Sequence, residues 1–126
     1  MERSAHRVEV SVSTEYVAER SRPADGLYFF AYTITITNEG STPVQLLSRH
    51  WVITDAVGRV DEVRGPGVVG QQPLLLPGDS FTYTSGCPLP TPIGAMRGSY
   101  QMVDADGESF EAEIPSFTLA ETLAIN

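Results

Sequence analysis

The sequence predicts an all-β domain, an immunoglobulin or fibronectin type III-like β-sandwich of about seven antiparallel strands. Three observations carry that reading. Apolar residues recur with a period of two along most of the chain, the signature of strands with one face in a core. The runs are short and are separated by clusters of Gly, Pro, Asn and Asp that suit antiparallel turns. Apolar spacing of three and four is interrupted by Gly or Pro everywhere except the tail from Phe117 to Ile125, so helix is expected to be minor.

The elements follow in order. Val8, Val10 and Val12 alternate with Arg7, Glu9 and Ser11 and mark the first strand. From Leu27 to Asn38, Tyr28, Phe30, Tyr32, Ile34 and Ile36 form one apolar face, while Thr33, Thr35 and Thr37 suit the other. Asn38-Glu39-Gly40-Ser41-Thr42-Pro43 breaks that run. In the strand Val44 to Thr54, Leu47, Trp51 and Ile53 share a parity, with Trp51 as a core ring between sheets and Ser48 and His50 opposite. The turn Asp55-Ala56-Val57-Gly58 leads into a short strand, Arg59 to Arg64.

Gly65-Pro66-Gly67-Val68-Val69-Gly70 reads as a loop, and Pro73 and Pro77 keep the following stretch out of a central ladder. Ser80 to Ser85 is a short strand, and Gly86 to Pro92 a proline-dense connection. Met96, Tyr100 and Met102 mark a strand to Asp104, and Asp106-Gly107 closes a hairpin. Phe110, Ala112 and Ile114 lie on the return strand, which Pro115 ends. One domain is expected over 1–126, its core at about 8–119, with little order at the ends and over Glu19 to Asp25. The lack of paired cysteines favours the fibronectin-like variant over the antibody-type one.

Sixteen Asp and Glu against eight Lys and Arg give a net charge of −8, which repels phosphate backbones and anionic membranes. Generic nucleic-acid binding is not expected. Apolar runs such as Leu74 to Leu76 are too short to span a bilayer, and Met1-Glu2-Arg3-Ser4 lacks the apolar core of a signal peptide. The lone Cys87 fits a reducing compartment. A cytoplasmic protein without a membrane span is expected.

The sharpest pattern is Gly65-x-Gly67-x-x-Gly70. In dinucleotide-binding folds such glycines let the backbone approach a pyrophosphate at a helix N-terminus. Here Gln71, Gln72 and Pro73 follow where that helix would start, so the plain reading is a bent loop beside an edge strand. A backbone nest for an anion remains a candidate, with Arg64 as the nearest cation in sequence. His6 and His50, the only imidazoles, show no metal-ligand spacing, and no metal site is predicted. Glu111 and Glu113 share a strand face that reads as solvated surface. Cys87 has no activating histidine beside it in sequence and reads as a buried small hydrophobe. No nucleophile, base and orienting group are juxtaposed, so no catalytic residue and no cofactor is predicted.

A longer string is specific where three glycines are not. His50-Trp51, Ile53-Thr54-Asp55, Val63 to Pro73, Pro77-Gly78, Tyr83 to Leu89, Met96-Arg97-Gly98 and Tyr100 to Val103 together resemble the ApaG family, from about Val8 to Leu119. The resemblance implies a fibronectin type III-like sandwich, and similar domains in eukaryotic F-box and polymerase-delta-interacting proteins imply protein binding. It also implies a link to diadenosine tetraphosphate metabolism and to cobalt and magnesium homeostasis, with Gly65, Gly67 and Gly70 as a pyrophosphate loop.

The function expected is a non-enzymatic protein-interaction module that uses a sheet edge and Gly/Pro-rich loops to bind a protein partner. Its candidate contact residues are Gln71, Gln72, Cys87, Pro88, Leu89 and Arg97, beside Arg64 and the three glycines. The alternative is a binding protein for a phosphorylated metabolite or a divalent cation.

Overall fold

The computed structural model describes residues 6–121. Eight strands account for most of them: β1 (Val8–Tyr16), β2 (Tyr28–Asn38), β3 (Val44–Asp55), β4 (Val60–Pro66), β5 (Leu74–Leu75), β6 (Ser80–Leu89), β7 (Ile93–Asp104) and β8 (Ser109–Ala120). All pairings are antiparallel. One sheet has the order β1-β2-β6 and the other β4-β3-β7-β8, with the short β5 paired to the start of β3. The two sheets pack face to face, as the fold class expected.

The even residues Phe30, Ile34 and Ile36 of β2 are essentially fully buried, so the alternation seen in the sequence is the alternation of the sheet. Trp51 faces them from β3, with Tyr32 edge-on at 5.4 Å and Phe117 edge-on at 5.9 Å. Asn38 ends β2 without a cost in stranded polar atoms. Its Nδ2 donates to the carbonyls of Thr42 and Leu75, both at 2.9 Å, and its Oδ1 accepts the Gly40 amide. On the outside of the first sheet, hydroxyls pair across β2 and β6: Thr33 with Thr84, Thr35 with Thr82 and Thr37 with Ser80.

Two bulges account for most departures from the parity reading. Leu47 is the extra residue where the β3–β7 register jumps between Leu46 and Ser48. Val44 and Leu46 are therefore buried before it and Trp51 after it, while Leu47 itself is only half-buried. On β8, Pro115 and Ser116 together face Arg97, between the Ile114–Gly98 and Phe117–Met96 pairs. Pro115 therefore does not end the strand. A proline with no amide to donate is tolerated at a bulge on an edge strand, and β8 runs on to Ala120.

Other boundaries also shift. The tail through Ala120 is strand rather than helix, because Leu119 pairs with Gly94 and is fully buried. Its remainder, 122–126, lies outside the described residues, as does 1–5, so the expectation of disordered ends falls there. β4 extends to Pro66, since Gly65 and Pro66 pair with Arg49 and Ser48. β6 continues through Gly86, Cys87 and Pro88 to Leu89, because β2 offers it partners as far as Tyr28. Pro88 is accommodated because β6 is the sheet's edge. Residues 18–25 are ordered as two 3-10 turns, Ala18–Arg20 and Pro23–Asp25. Ser21 Oγ ties them to β2 by accepting the Phe29 amide, and the Arg20 guanidinium covers the Phe29 ring at 4.1 Å. No helix among the described residues is long and apolar enough to cross a membrane.

Candidate functional site

The sandwich is closed along one side, where β1 packs against β8. Along the other, the free edges are β6 and β4, and a cleft of about 510 Å³ opens between them. Trp51, Ile53 and Met96 line its base, Asp61 and Val63 of β4 one wall, and Ser85 to Leu89 of β6 the other. A second hollow of about 400 Å³ adjoins it toward the glycine loop and shares Tyr32, Arg49, Trp51 and Ser85. This volume is in the range of small-molecule and peptide side-chain pockets.

Arg49 is the charged centre of the hollow. The Leu47 bulge moves it onto the inward parity of Trp51 and Ile53. Its Nη1 donates to the carbonyls of Pro66 at 3.0 Å and Gly67 at 2.9 Å. The guanidinium lies flat over Gly65, where a Cβ would stand 3.0–3.2 Å from its atoms. Among the described residues no carboxylate pairs with it, and Nη2 and Nε make no hydrogen bond. Among the described residues Arg49 is the only charged one lining the second hollow, together with Tyr32, Tyr83 and Ser85. Burial pushes the Tyr32 and Tyr100 hydroxyls upward and that of Tyr83 to about 12, while the Arg49 charge acts the opposite way on all three. The opposite end of the cleft is acidic, with Asp55, Asp61 and Glu62 against Arg59.

Each glycine of the Gly65-x-Gly67-x-x-Gly70 pattern has its own geometric reason. Gly65 seats the Arg49 guanidinium. Gly67 has φ +62°, and a Cβ on it would meet the Gln71 carbonyl. Gly70, at φ +81°, follows Val69 at φ 43°, and the pair forms the tip of a two-residue turn closed by mutual Val68–Gln71 hydrogen bonds of 2.8 and 2.9 Å. Val68 is buried in the core, while the apolar side chain of Val69 is half-exposed at the turn tip. The amides of Gly67, Val68 and Gln71 are engaged by Leu47, Gln71 and Val68. After Gly70 the chain runs to β5 without a helix.

The remaining candidate residues are distributed over several places. Cys87, Pro88 and Leu89 line the cleft together. Cys87 is buried; that burial, and then the negative charge of Asp61, push its thiol up to about 11, so it is neutral at ordinary pH. Gln71 and Gln72 border the loop, and Gln72 Nε2 donates to the Leu47 carbonyl at 2.8 Å. Arg64 lies 3.6 Å from Glu62 and lines a small hollow with Gly65, while the cation hydrogen-bonded to the loop carbonyls is Arg49. Arg97 lies in a shallow depression with His50, Glu111 and Glu113 rather than in the cleft. His50 Nε2 is 2.8 Å from Glu62 Oε1, a contact that holds the Glu62 carboxyl below its usual range.

Two features escaped the sequence reading. Arg49 carried a visible signal, an arginine on the parity of Trp51 and Ile53. In the second, the Asp104 to Glu108 hairpin is legible as a weak cation candidate but its histidine is not: His6 Nε2 lies 2.9 Å from Asp104 Oδ2, across a separation of 98 residues, and Glu108 stands beside them. Ligand atoms of the three lie within 4.8 Å of one another, an arrangement able to hold a cation, and His6 stacks on Phe110 at 3.9 Å.

Comparison with known proteins gives consistent results. A family model described as the ApaG domain matches residues 18–104. "Protein ApaG" of Thiobacillus denitrificans is 60% identical over 115 residues, 91% of each chain. "Protein ApaG" of Pseudomonas aeruginosa is 57% identical over 120 residues, 95% of each. A Bordetella pertussis crystal structure superposes with a TM-score of 0.90 at 59% identity, covering 93% of this chain and 95% of that one.

Proposed function

The chain belongs to the ApaG family, and from that premise we propose that it is a non-enzymatic protein-interaction module. Its docking site in this reading is the cleft between the free edges of β6 and β4. The observation that carries the reading is the pairing of an unpaired strand edge with a side-chain cleft directly below it. An extended peptide added to β6 gains main-chain hydrogen bonds from the edge, and every second side chain drops into the cleft. The sheet order, β1-β2-β6 against β4-β3-β7-β8, supports a fibronectin type III-like description of this scaffold. The neutral thiol of Cys87 supports a binding role over a nucleophilic one.

The test is selection of random octapeptides displayed against the folded chain, followed by mapping on isotope-labelled protein. Selected peptides are expected to shift backbone resonances of β6 and β4 and to slow amide exchange along the β6 edge. Peptides that bind only elsewhere, or none above background, would overturn the reading.

A second reading, a divalent-cation binding protein, is favoured by the His6, Asp104 and Glu108 cluster. Titration with Co²⁺ or Zn²⁺ tests it. Perturbation confined to those three residues, with a melting temperature that climbs with metal concentration, is the expected result. Unchanged spectra at millimolar metal would remove it.

A further inference from the structure

The two ends of the cleft differ in charge, and that difference specifies the partner beyond the reading above, on which this inference rests. At the glycine-loop end the only charged group among the described residues is Arg49, half-buried and fixed at Nη1 by the carbonyls of Pro66 and Gly67. With Nη2 and Nε unbonded among the described residues, the guanidinium presents one open edge of its fork. A fork held this way is matched in shape by a carboxylate, and a half-buried cation with no counter-ion gains most from one. Toward the other end the surface is apolar, then net acidic: Trp51, Cys87 and Leu89, followed by Asp61, Glu62 and Asp55 against Arg59. A carboxylate there would be repelled.

The spacing between these regions is set by β6. Its inward side chains run Tyr83, Ser85, Cys87, Leu89, and Ser85 belongs to both hollows. A strand laid along β6 therefore places one inward side chain near Ser85 and the next, two residues away and about 7 Å along, near Cys87. We infer that the cleft takes an extended peptide with an acidic side chain beside Ser85, its carboxylate on the open edge of Arg49, and an apolar side chain two residues away against Trp51 and Cys87. The chain's net charge of −8 opposes acidic ligands in general, which confines the carboxylate to this one place and excludes a uniformly acidic peptide.

The experiment uses the octapeptides selected above on the full chain. Enrichment of Asp or Glu at one position, with an apolar residue two positions away, is expected. Changing that Asp or Glu to Asn or Gln in the peptide should weaken binding at least tenfold, a readout that leaves the protein intact. Arg49→Gln should cause the same loss for the parent peptide and no further loss for the amide peptide, with folding checked by melting. Peptides that map to the cleft but carry no acidic position, or that tolerate the amide change, would overturn this inference and leave the interaction module standing. Absence of any cleft-binding peptide would overturn both. Inorganic diphosphate that shifts the Arg49 side-chain resonances, with acidic peptides that fail to do so, would also overturn it in favour of a small-anion site.

Discussion

Tyr83 of β6 and Tyr100 of β7 place their hydroxyl oxygens 2.6 Å apart inside the sandwich, so a hydrogen bond joins the two sheets through their side chains. Both rings are buried, and neither hydroxyl can be abandoned cheaply. Tyr100→Phe leaves the Tyr83 hydroxyl without its partner and should cost about 1–3 kcal/mol in urea unfolding. The second change, to the Tyr83→Phe/Tyr100→Phe pair, should add little. Strict additivity of the two single changes would show that the bond contributes nothing.

Val69 has a β-branched side chain at φ 43°, in the first central position of a turn that favours Asn or Gly. Val69→Asn should therefore raise stability by about 1 kcal/mol, measured as a higher urea midpoint at unchanged slope. A lower midpoint would mean that the half-exposed valine is held by packing instead.

Glycines of the same composition should respond differently. A Cβ at Gly98 would meet the backbone carbonyl of His50 in the middle of the β3–β7 pair, and Gly98→Ala should cost about 2–3 kcal/mol. Gly70 has φ +81° but open space around it, so Gly70→Ala should cost only about 1 kcal/mol of backbone strain. Equal losses at the two sites would contradict the geometry.

Cys87 ties stability to alkaline pH. Its thiol is raised from 9.0 to about 11, so the unfolded chain loses the proton first. The stabilisation is complete below pH 9 and is lost as pH rises through about 11. Cys87→Ala should flatten the stability slope in that window by up to about 1.4 kcal/mol per pH unit, beyond its pH-independent cavity cost. Parallel wild-type and variant slopes would refute the assignment.

Asp104 acts at the other end of the scale. The hydrogen bond from His6, then the backbone amides of Glu108 and Asp106, hold its carboxyl below 3.8. Its contribution is present above pH 3.8 and fades as pH falls through the lower folded value. The melting-temperature gap between wild type and Asp104→Asn should therefore narrow in acid, and a gap independent of pH would count against the pairing.

The sequence made β2 legible almost residue by residue, because five apolar side chains keep one parity without an insertion. Parity reasoning failed where the backbone adds a residue. Nothing in Leu46-Leu47-Ser48 announces which leucine is buried, since the bulge that decides it is set by the partner strand β7. Pro115 read as a terminator because its missing amide is costly in a central strand, and its edge position was not visible. The cleft was half legible: Cys87, Pro88 and Leu89 were named. Arg49, an arginine in phase with Trp51 and Ile53, is the anomaly in the sequence that points to the rest. The glycine pattern has a local explanation that spacing does not reveal, since Gly65 is vacant of side chain where the Arg49 guanidinium lies.

The three hydroxyl pairs outside β2 and β6 have a consequence for how copies of this molecule meet. Two-layer β architectures invite lamination, the stacking of one sheet's outer surface on another's. Here that surface carries a row of threonine and serine hydroxyls paired with one another, a polar face with little apolar area to bury. Crowding therefore leaves a third layer unfavourable.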